Sequence, residues 1–217
     1  MSAARRMLMV ANEKTLPIID GHEYVDLGLP SGTLWATMNV GAIAPYEKGL
    51  FFRWGDTIGY NQGDSASSYK DLTKYNQADG PSELELIDDG VNVYWGGGWC
   101  MPTAEQLLEL GNPEYITISN VTNYMGSGVG GNLFTSKING KTLFNRSTGI
   151  YASISGNPMV SDRAYIRTKT RSDLSVSNGY KKALLQHCTS TTTSFTSLSD
   201  EYRFYFTPLR GVYNINI

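Results

Sequence analysis

The pattern of apolar and polar positions predicts a β-hairpin near the start of the chain. Residues 24–29 are rich in strand-forming types, Pro30-Ser31-Gly32 is a turn sequence, and residues 33–37 form a second apolar run. A later hairpin is predicted where Asn139-Gly140 separates residues 133–138 from residues 141–144, because this dipeptide favours a two-residue turn. The second half of the chain is therefore expected to be mostly β.

One clear helix is predicted at about residues 103–110. Thr103 is a good N-cap, and Gln106, three residues later, can complete a capping box. The leucines that follow supply an apolar face, and Gly111 is placed to end the helix. The expected fold class is therefore α+β.

The chain is expected to form one domain preceded by an arm. Residues 1–18 are basic and rich in methionine, so we predict an attachment arm that contains Arg5-Arg6-Met7-Leu8-Met9. Residues 19–217 are long enough to bury a core of their own. Within them, residues 57–92 are polar and rich in turn-forming types, which predicts a long loop excursion rather than a second domain.

Composition favours a loop-rich globular domain and weighs against nucleic acid as a partner. The chain has 23 glycines and 14 tyrosines, typical of short strands and turns. Its formal net charge is −2, without the dense basic stripe that neutralises phosphates. No stretch approaches the roughly 18 consecutive apolar residues that cross a bilayer, so no membrane span is expected. The apolar run in the arm is too brief for a secretory signal.

The sequence does not predict a metal site, a cofactor or catalysis. Cys100 and Cys188 lack zinc-site spacing and are interpreted as buried free thiols, with a disulfide between them as the alternative. His22 and His187 lie in no metal-binding or catalytic motif and are interpreted as structural. Residues 126–131 match the spacing of a dinucleotide fingerprint, but they precede a hairpin rather than a helix, so we interpret them as a turn. The protein is expected not to be an enzyme.

Tyrosines in the polar excursion are the first candidate ligand-binding residues. Tyr60, Tyr69 and Tyr75 lie among polar and turn-forming residues. Exposed tyrosines in adaptable loops suit recognition of a protein or a glycan. The alternative is that these side chains hold the loop against the domain.

A cationic cluster supplies the other candidates. Arg163 and Arg167 are joined by Lys169 and Arg171, and Ile166 and threonines alternate with them. This alternation favours one solvated face of a strand, with an anion site as the alternative. We retain Arg163 and Arg167 as candidate ligand-binding residues.

Four segments carry a resemblance to a known family. They are residues 24–42, residues 49–56, Trp95-Gly-Gly-Gly-Trp-Cys-Met-Pro-Thr103 and residues 206–210. Together they resemble the Fibrobacter succinogenes major paralogous domain and related Bacteroides surface modules. The third segment is similar to that family's Gly-Gly-Trp-Arg-Met-Pro-Thr signature, with Cys100 in place of the arginine. Residues 164–170 also depart from the family's Tyr-Trp-Ser/Thr-Ser segment.

The resemblance covers residues 20–213 and implies a C-type-lectin-like fold. That fold has a mixed, mostly antiparallel sheet and long loops. Its first and last strands pair, which would place residues 24–29 beside residues 204–212, while residues 57–92 and 156–200 would face outward. It also implies that about three of the four tryptophans are buried, the four being Trp35, Trp54, Trp95 and Trp99.

The basic start of the chain resembles small virion proteins of tailed phages that infect Bacteroidetes. This resemblance implies a non-enzymatic protein of the virion, as a capsid decoration, head fibre or tail component. Its implied partners are neighbouring virion proteins or further copies of itself, for example in a trimer, and a glycan or protein of the host surface. The alternative is a secreted or cell-surface lectin-like adhesion module of a Bacteroidetes bacterium, and a hydrolase on the same scaffold is a more distant one.

Overall fold

The computed structural model describes residues 16–172 and 181–214 as an α+β fold dominated by antiparallel strands. Arg5, Arg6, Met7, Leu8 and Met9 of the predicted arm lie outside the described residues. The strands, in chain order, are β1 (Ile18–Ile19), β2 (His22–Asp26), β3 (Leu34–Asn39), β4 (Phe51–Phe52), β5 (Trp99–Cys100), β6 (Ile116–Val121), β7 (Gly131–Ser136), β8 (Thr142–Arg146), β9 (Ala164–Arg171), β10 (Lys182–Cys188), β11 (Ser199–Tyr202), β12 (Thr207–Pro208) and β13 (Arg210–Tyr213). The α-helices are α1 (Gly90–Trp95) and α2 (Ala104–Gly111), and single turns of 3-10 helix span Thr73–Tyr75, Leu86–Asp88 and Tyr124–Gly126.

A five-stranded sheet brings the two ends of the described chain together. Its strand order is β1-β2-β3-β13-β5. The predicted β2–β3 hairpin is confirmed, and so is the placement of the chain ends in one sheet. The predicted pairing of the first strand with the last is wrong, because β13 pairs with β3 and β5. The edges of β2 are already occupied by β1 and β3, so β3 offers the free edge.

Three smaller sheets complete the fold, with the orders β11-β10-β9, β6-β7-β8 and β12-β4. All pairings between strands of the described residues are antiparallel, so the mixed sheet that was expected is not found there. Strands β9 and β10 occupy much of residues 156–200, so that region is less of an outward loop than expected. The Asn139-Gly140 hairpin is confirmed between β7 and β8, but with a four-residue loop, since Ser136 N donates to Lys141 O.

The predicted helix α2 is confirmed, together with its capping box. The Thr103 side chain accepts from Gln106 N, and the Gln106 side chain accepts from Thr103 N. Gly111 does not end the helix as predicted; it is the last helical residue, and its missing side chain makes room for the ring of Phe195. The sequence analysis missed α1, which has only six residues and is capped by Asp89.

Two large apolar clusters form most of the core. One lies between α2 and the sheets and contains both cysteines, which are buried and free. The other surrounds Trp54 and Trp99. Trp35, Trp54 and Trp99 are fully buried while Trp95 is partly exposed, which confirms that three of the four tryptophans are inside. Within the described part of the chain, no helix is long and apolar enough to cross a membrane.

Candidate functional site

A cavity of about 710 Å³ lies where several loops meet at the end of the β4–β12 pair. This volume is within the range of small-molecule binding sites, which is roughly 300–1,000 Å³. The lining residues come from chain segments that are far apart in the sequence. They are Arg53, Ser65, Ala66, Ser67, Tyr69, Asp71, Ala152, Ser153, Ile154, Ser155, Lys181, Phe204 and Phe206.

Backbone pairing holds these segments in place. The strand pair β4–β12 is extended by isolated bridges from Phe51 to Tyr60 and from Tyr151 to Phe206. In addition, Trp54 N donates to Arg203 O at 2.8 Å. The cavity walls are therefore fixed to the sheet, although most of the lining residues belong to loops.

Aromatic rings form one wall of the cavity. Phe206 is buried, whereas Tyr69 and Phe204 are partly exposed. The Arg53 guanidinium lies over three rings, 5.0 Å from the centre of Phe206, 5.4 Å from Tyr69 and 5.7 Å from Tyr60. These distances are in the range of cation–π attraction, so Arg53 and the three rings stabilise one another's positions.

Arg53 also carries the main hydrogen bonds of the wall. Its Nε forms an ion pair with Asp56 Oδ2 at 2.6 Å, and its Nη1 donates to Ser67 O at 2.7 Å. Burial raises the pKa of Asp56, and the hydrogen bond and charge of Arg53 oppose that rise. The contact of Arg53 Nη2 with Ser67 Oγ is 3.5 Å long, so this nitrogen keeps donor capacity for a ligand.

Two further arginines lie behind the wall. Arg203 stacks on Trp54, with its guanidinium carbon 4.3 Å from the ring centre, and its Nη1 lies 3.6 Å from Asp71 Oδ1. Arg167 is fully buried, and its Nε donates to Thr207 Oγ1 at 3.1 Å. Neither Nη1 nor Nη2 of Arg167 has a hydrogen-bond partner within residues 16–172 and 181–214.

Hydroxyl groups and exposed charges line the rest of the cavity. The Oγ atoms of Ser153 and Ser155 are 3.0 Å apart, and Ser65 adds another hydroxyl. Asp71 and Lys181 are both exposed. The arrangement can bind a ligand through hydroxyl groups, an aromatic face and cationic donors together.

The three tyrosines predicted as exposed ligand contacts have three different environments. Tyr69 lines the cavity, and its hydroxyl donates to Trp54 O at 3.2 Å. Tyr60 is 9% exposed and lies behind the wall, with its hydroxyl 3.1 Å from Ser67 Oγ. Tyr75 is 1% exposed, and its hydroxyl donates to Asp88 Oδ2 at 2.6 Å. The expected exposure is therefore wrong for Tyr60 and Tyr75, because both rings pack into the core and hold the excursion in place.

The prediction that one face of β9 is solvated is wrong at Arg167. Residues 164–168 are all buried because β9 is covered on both faces, with Trp54 Nε1 donating to Thr168 O on one side. Arg163 is partly exposed, lies 3.2 Å from His187 Nε2, and is not among the residues that line the cavity. The structure therefore brings Tyr69 to the site, places Arg167 behind it, and separates Arg163 from it.

Sequence reasoning missed several lining residues. Arg53, Asp71, Lys181, Phe204 and Phe206 were not among the predicted site residues. The available signal was the aromatic density of residues 202–206, where an arginine is inserted among four aromatic residues. Residues 204–206 were expected to belong to the last strand, whereas residues 203–205 form a turn between β11 and β12.

The two histidines occupy separate environments. His22 stacks on Trp95 with ring centres 4.2 Å apart, and His187 contacts Arg163. Burial lowers the pKa of each histidine. Among the described residues, no group of three or more histidine, cysteine, aspartate or glutamate side chains is placed to hold a metal ion.

The chain was compared with protein-family models, with curated proteins and with solved structures. None of these comparisons gave a match. The cavity residues and their chemistry are therefore the basis for a functional proposal.

Proposed function

We propose that this protein is a non-enzymatic binding protein displayed on a surface, and that the cavity beside Arg53 and Phe204 is its ligand site. The ligand in this proposal is a glycan. The fold in this proposal is the C-type-lectin-like fold that the resemblance implies. The surface is that of a phage virion, where the protein is a capsid decoration, head fibre or tail component.

The composition of the cavity is the observation that carries the proposal. Sugars present hydroxyl groups at their edges and C–H groups on their ring faces. Ser65, Ser153 and Ser155 supply hydroxyl partners, and Phe204 and Tyr69 supply partly exposed aromatic rings, of which Phe204 also stacks on Tyr202. A cavity that mixes these groups suits a saccharide better than a purely apolar compound.

The placement of the chain ends supports display. Strands β1 and β13 belong to one sheet, so both described ends leave the domain from the same layer. The cavity is lined instead by loops and turns between strands. A protein attached through its N-terminal arm can present such loops to a ligand, and many copies on one particle would strengthen weak individual contacts.

A glycan array with the full chain and the variant Phe204→Ala tests the ligand site. We expect wild-type protein to bind at least one saccharide, and the variant to bind it about fivefold more weakly, since an aromatic contact of this kind contributes about 1 kcal/mol. Ile87→Ala, which shortens an exposed side chain outside the cavity, is the control and should bind normally. Equal binding by wild type and Phe204→Ala would rule out this cavity as the site.

Native mass spectrometry on the full chain and on a chain that lacks residues 1–15, so that β1 is kept, tests attachment through the arm. We expect the full chain to form an oligomer or to bind a virion subunit, and the shortened chain to lose that association while retaining glycan binding. A monomer in both cases, without binding to any virion subunit, would contradict display through the arm.

A further inference from the structure

The geometry points to an anionic saccharide, a sugar that carries a carboxylate, sulfate or phosphate group, as the occupant of this cavity. This inference rests on the proposed function and specifies its ligand. It depends on the charges that surround the cavity and on the hydrogen-bond donors that they leave available.

Basic side chains outnumber acidic ones around the cavity. Arg53 and Lys181 line it, and Arg167 and Arg203 lie behind its wall. The carboxylates nearby are Asp71 in the lining, Asp56 on Arg53, and Glu201, which interacts with Arg167. Asp56 and Asp71 are each engaged with an arginine, at 2.6 Å and 3.6 Å respectively. The remaining positive charge favours an anionic ligand.

Arg167 gives the strongest reason for an anion. It is fully buried, and in the part of the chain that the structure describes its Nη1 and Nη2 atoms have no hydrogen-bond partner. Burial lowers the pKa of Arg167 to about 10, so the side chain remains cationic at neutral pH. Its charge interacts with Asp56, Glu201 and the hydroxyl of Tyr69, a residue of the cavity wall. A buried cation whose charge and hydrogen-bond donors are only partly balanced by nearby groups destabilises the folded state. An anion in the adjacent cavity would reduce that free-energy cost.

Donor geometry supports an oxyanion as the charged group. The Arg53 guanidinium is held by Asp56 and by the backbone of Ser67, while its Nη2 has only the long 3.5 Å contact. The N–H groups of Nη2 can therefore donate to an oxygen of a carboxylate, sulfate or phosphate. The aromatic and hydroxyl groups beside it then fit the sugar ring that bears the anionic group, rather than a free anion.

Binding of paired saccharides tests this inference separately from the proposed function. The panel contains uronic and sialic acid oligosaccharides, the methyl ester of each, and sulfated and phosphorylated sugars. We expect the acids to bind at least tenfold more tightly than their uncharged esters, and their affinity to fall between about 50 and 500 mM salt while that of the esters does not. Equal or tighter binding of the esters would overturn the inference but leave a glycan-binding protein, and the sulfated and phosphorylated sugars show which anionic group the cavity prefers. Binding of no saccharide at all would overturn the proposed function as well.

Two exposed lining residues of opposite charge provide matched variants. Lys181→Gln should lower the affinity for the acids about two- to fivefold, and Asp71→Asn should raise it by a similar factor, because single exposed charges have effects of this size. Neither variant should change the affinity for the esters by more than about a factor of two. Arg53→Lys keeps the charge but loses the Nη2 donor, and should weaken acid binding about tenfold. If Arg53→Lys does not fold, Lys181→Gln and Asp71→Asn still test the inference, because they should change the affinity for the acids in opposite directions. A change in the same direction would contradict the inference.

Discussion

A single buried carboxylate, that of Asp89, joins helix α1 to the segment that follows β5. Its Oδ1 accepts from Val91 N at 2.9 Å and from Asn92 N at 3.2 Å, which caps the helix. Its Oδ2 accepts from Met101 N at 2.8 Å. Asp89 is fully buried, so all of these donors depend on the carboxylate and not on water.

Asp89→Asn should lower the free energy of unfolding by about 1–3 kcal/mol. An amide has one oxygen, so its NH₂ group must face either the helix N–H groups or Met101 N, and a buried donor is left without an acceptor. Urea unfolding followed by circular dichroism measures the change. Asp79→Asn, at an exposed position, is the matched control and should stay within about 0.5 kcal/mol of wild type. Equal stability of the two variants would show that the hydrogen bonds of Asp89 do not contribute to the free energy of unfolding.

His187 should make stability depend on pH. Burial, and then the positive charge of Arg163, lower the pKa of His187. The folded state therefore prefers the neutral imidazole. The contribution of His187 to the free energy of unfolding is fully present above its pKa in the unfolded chain, about 6.5. This contribution is lost as the pH falls from there through the lower pKa of the folded state.

The comparison of wild type with His187→Gln isolates this effect. Between pH 7.5 and pH 5.0, the thermal unfolding midpoint should decrease more for wild type than for the variant, because the variant lacks this titration. The remaining decrease in the variant includes that of His22, whose pKa burial also lowers. Identical pH dependence in the two proteins would exclude His187 as a titrating group of the folded state.

At the end of helix α2, tertiary packing and not helix termination explains why residue 111 is a glycine. Gly111 is buried, and a methyl group added to it would overlap the ring of Phe195. In an isolated helix, replacing glycine by alanine is favourable by about 1 kcal/mol. Here the overlap with the ring outweighs that gain, because overpacking a core costs about 1–3 kcal/mol.

Gly111→Ala should therefore decrease the free energy of unfolding by up to about 2 kcal/mol. The double variant Gly111→Ala with Phe195→Leu should recover part of the loss, since the smaller side chain leaves room for the methyl group. Gly156→Ala, where the nearest atom to the added methyl is 3.5 Å away, is the control and should be close to neutral. Chemical denaturation of the four proteins provides the measurement, and a more stable Gly111→Ala protein would contradict the prediction.

Elements with local signals were predictable, and the cavity was not. The capping box of Thr103 and Gln106 and the Asn139-Gly140 turn involve neighbouring residues, so their patterns identify them. The cavity forms only when Arg53 meets residues 152–155 and 204–206, through pairings that span more than half of the chain. Alternation in β9 likewise predicted an exposed face, because the sequence does not show that both faces of this strand are covered.

The central sheet joins the first and last parts of the described chain. Strand β13 lies between β3 and β5, and Val212 within it is fully buried. Arg210 extends the connection to a second sheet, since its Nη1 donates to Ala36 O in β3 and its Nη2 to Phe144 O in β8. Strand β12, which pairs with β4 and supports the cavity, directly precedes β13 in the chain. The end of the chain is thus required both for the main sheet and for the proposed ligand site.

Removal of residues 209–217 should prevent folding of the whole domain rather than of one sheet. Without β13, the strands β3 and β5 lose their shared partner, and the second apolar cluster loses Leu209. We expect a poorly dispersed nuclear magnetic resonance spectrum and no cooperative thermal transition, because most small domains fold as one unit. A chain shortened only by residues 215–217, which retains β3, β5 and β13, is the control for truncation itself. Addition of a synthetic peptide of residues 207–217 to the longer truncation should restore part of the dispersed spectrum, by supplying the missing central strand. A longer truncation that remains folded and binds saccharides would show that the cavity is independent of the central sheet.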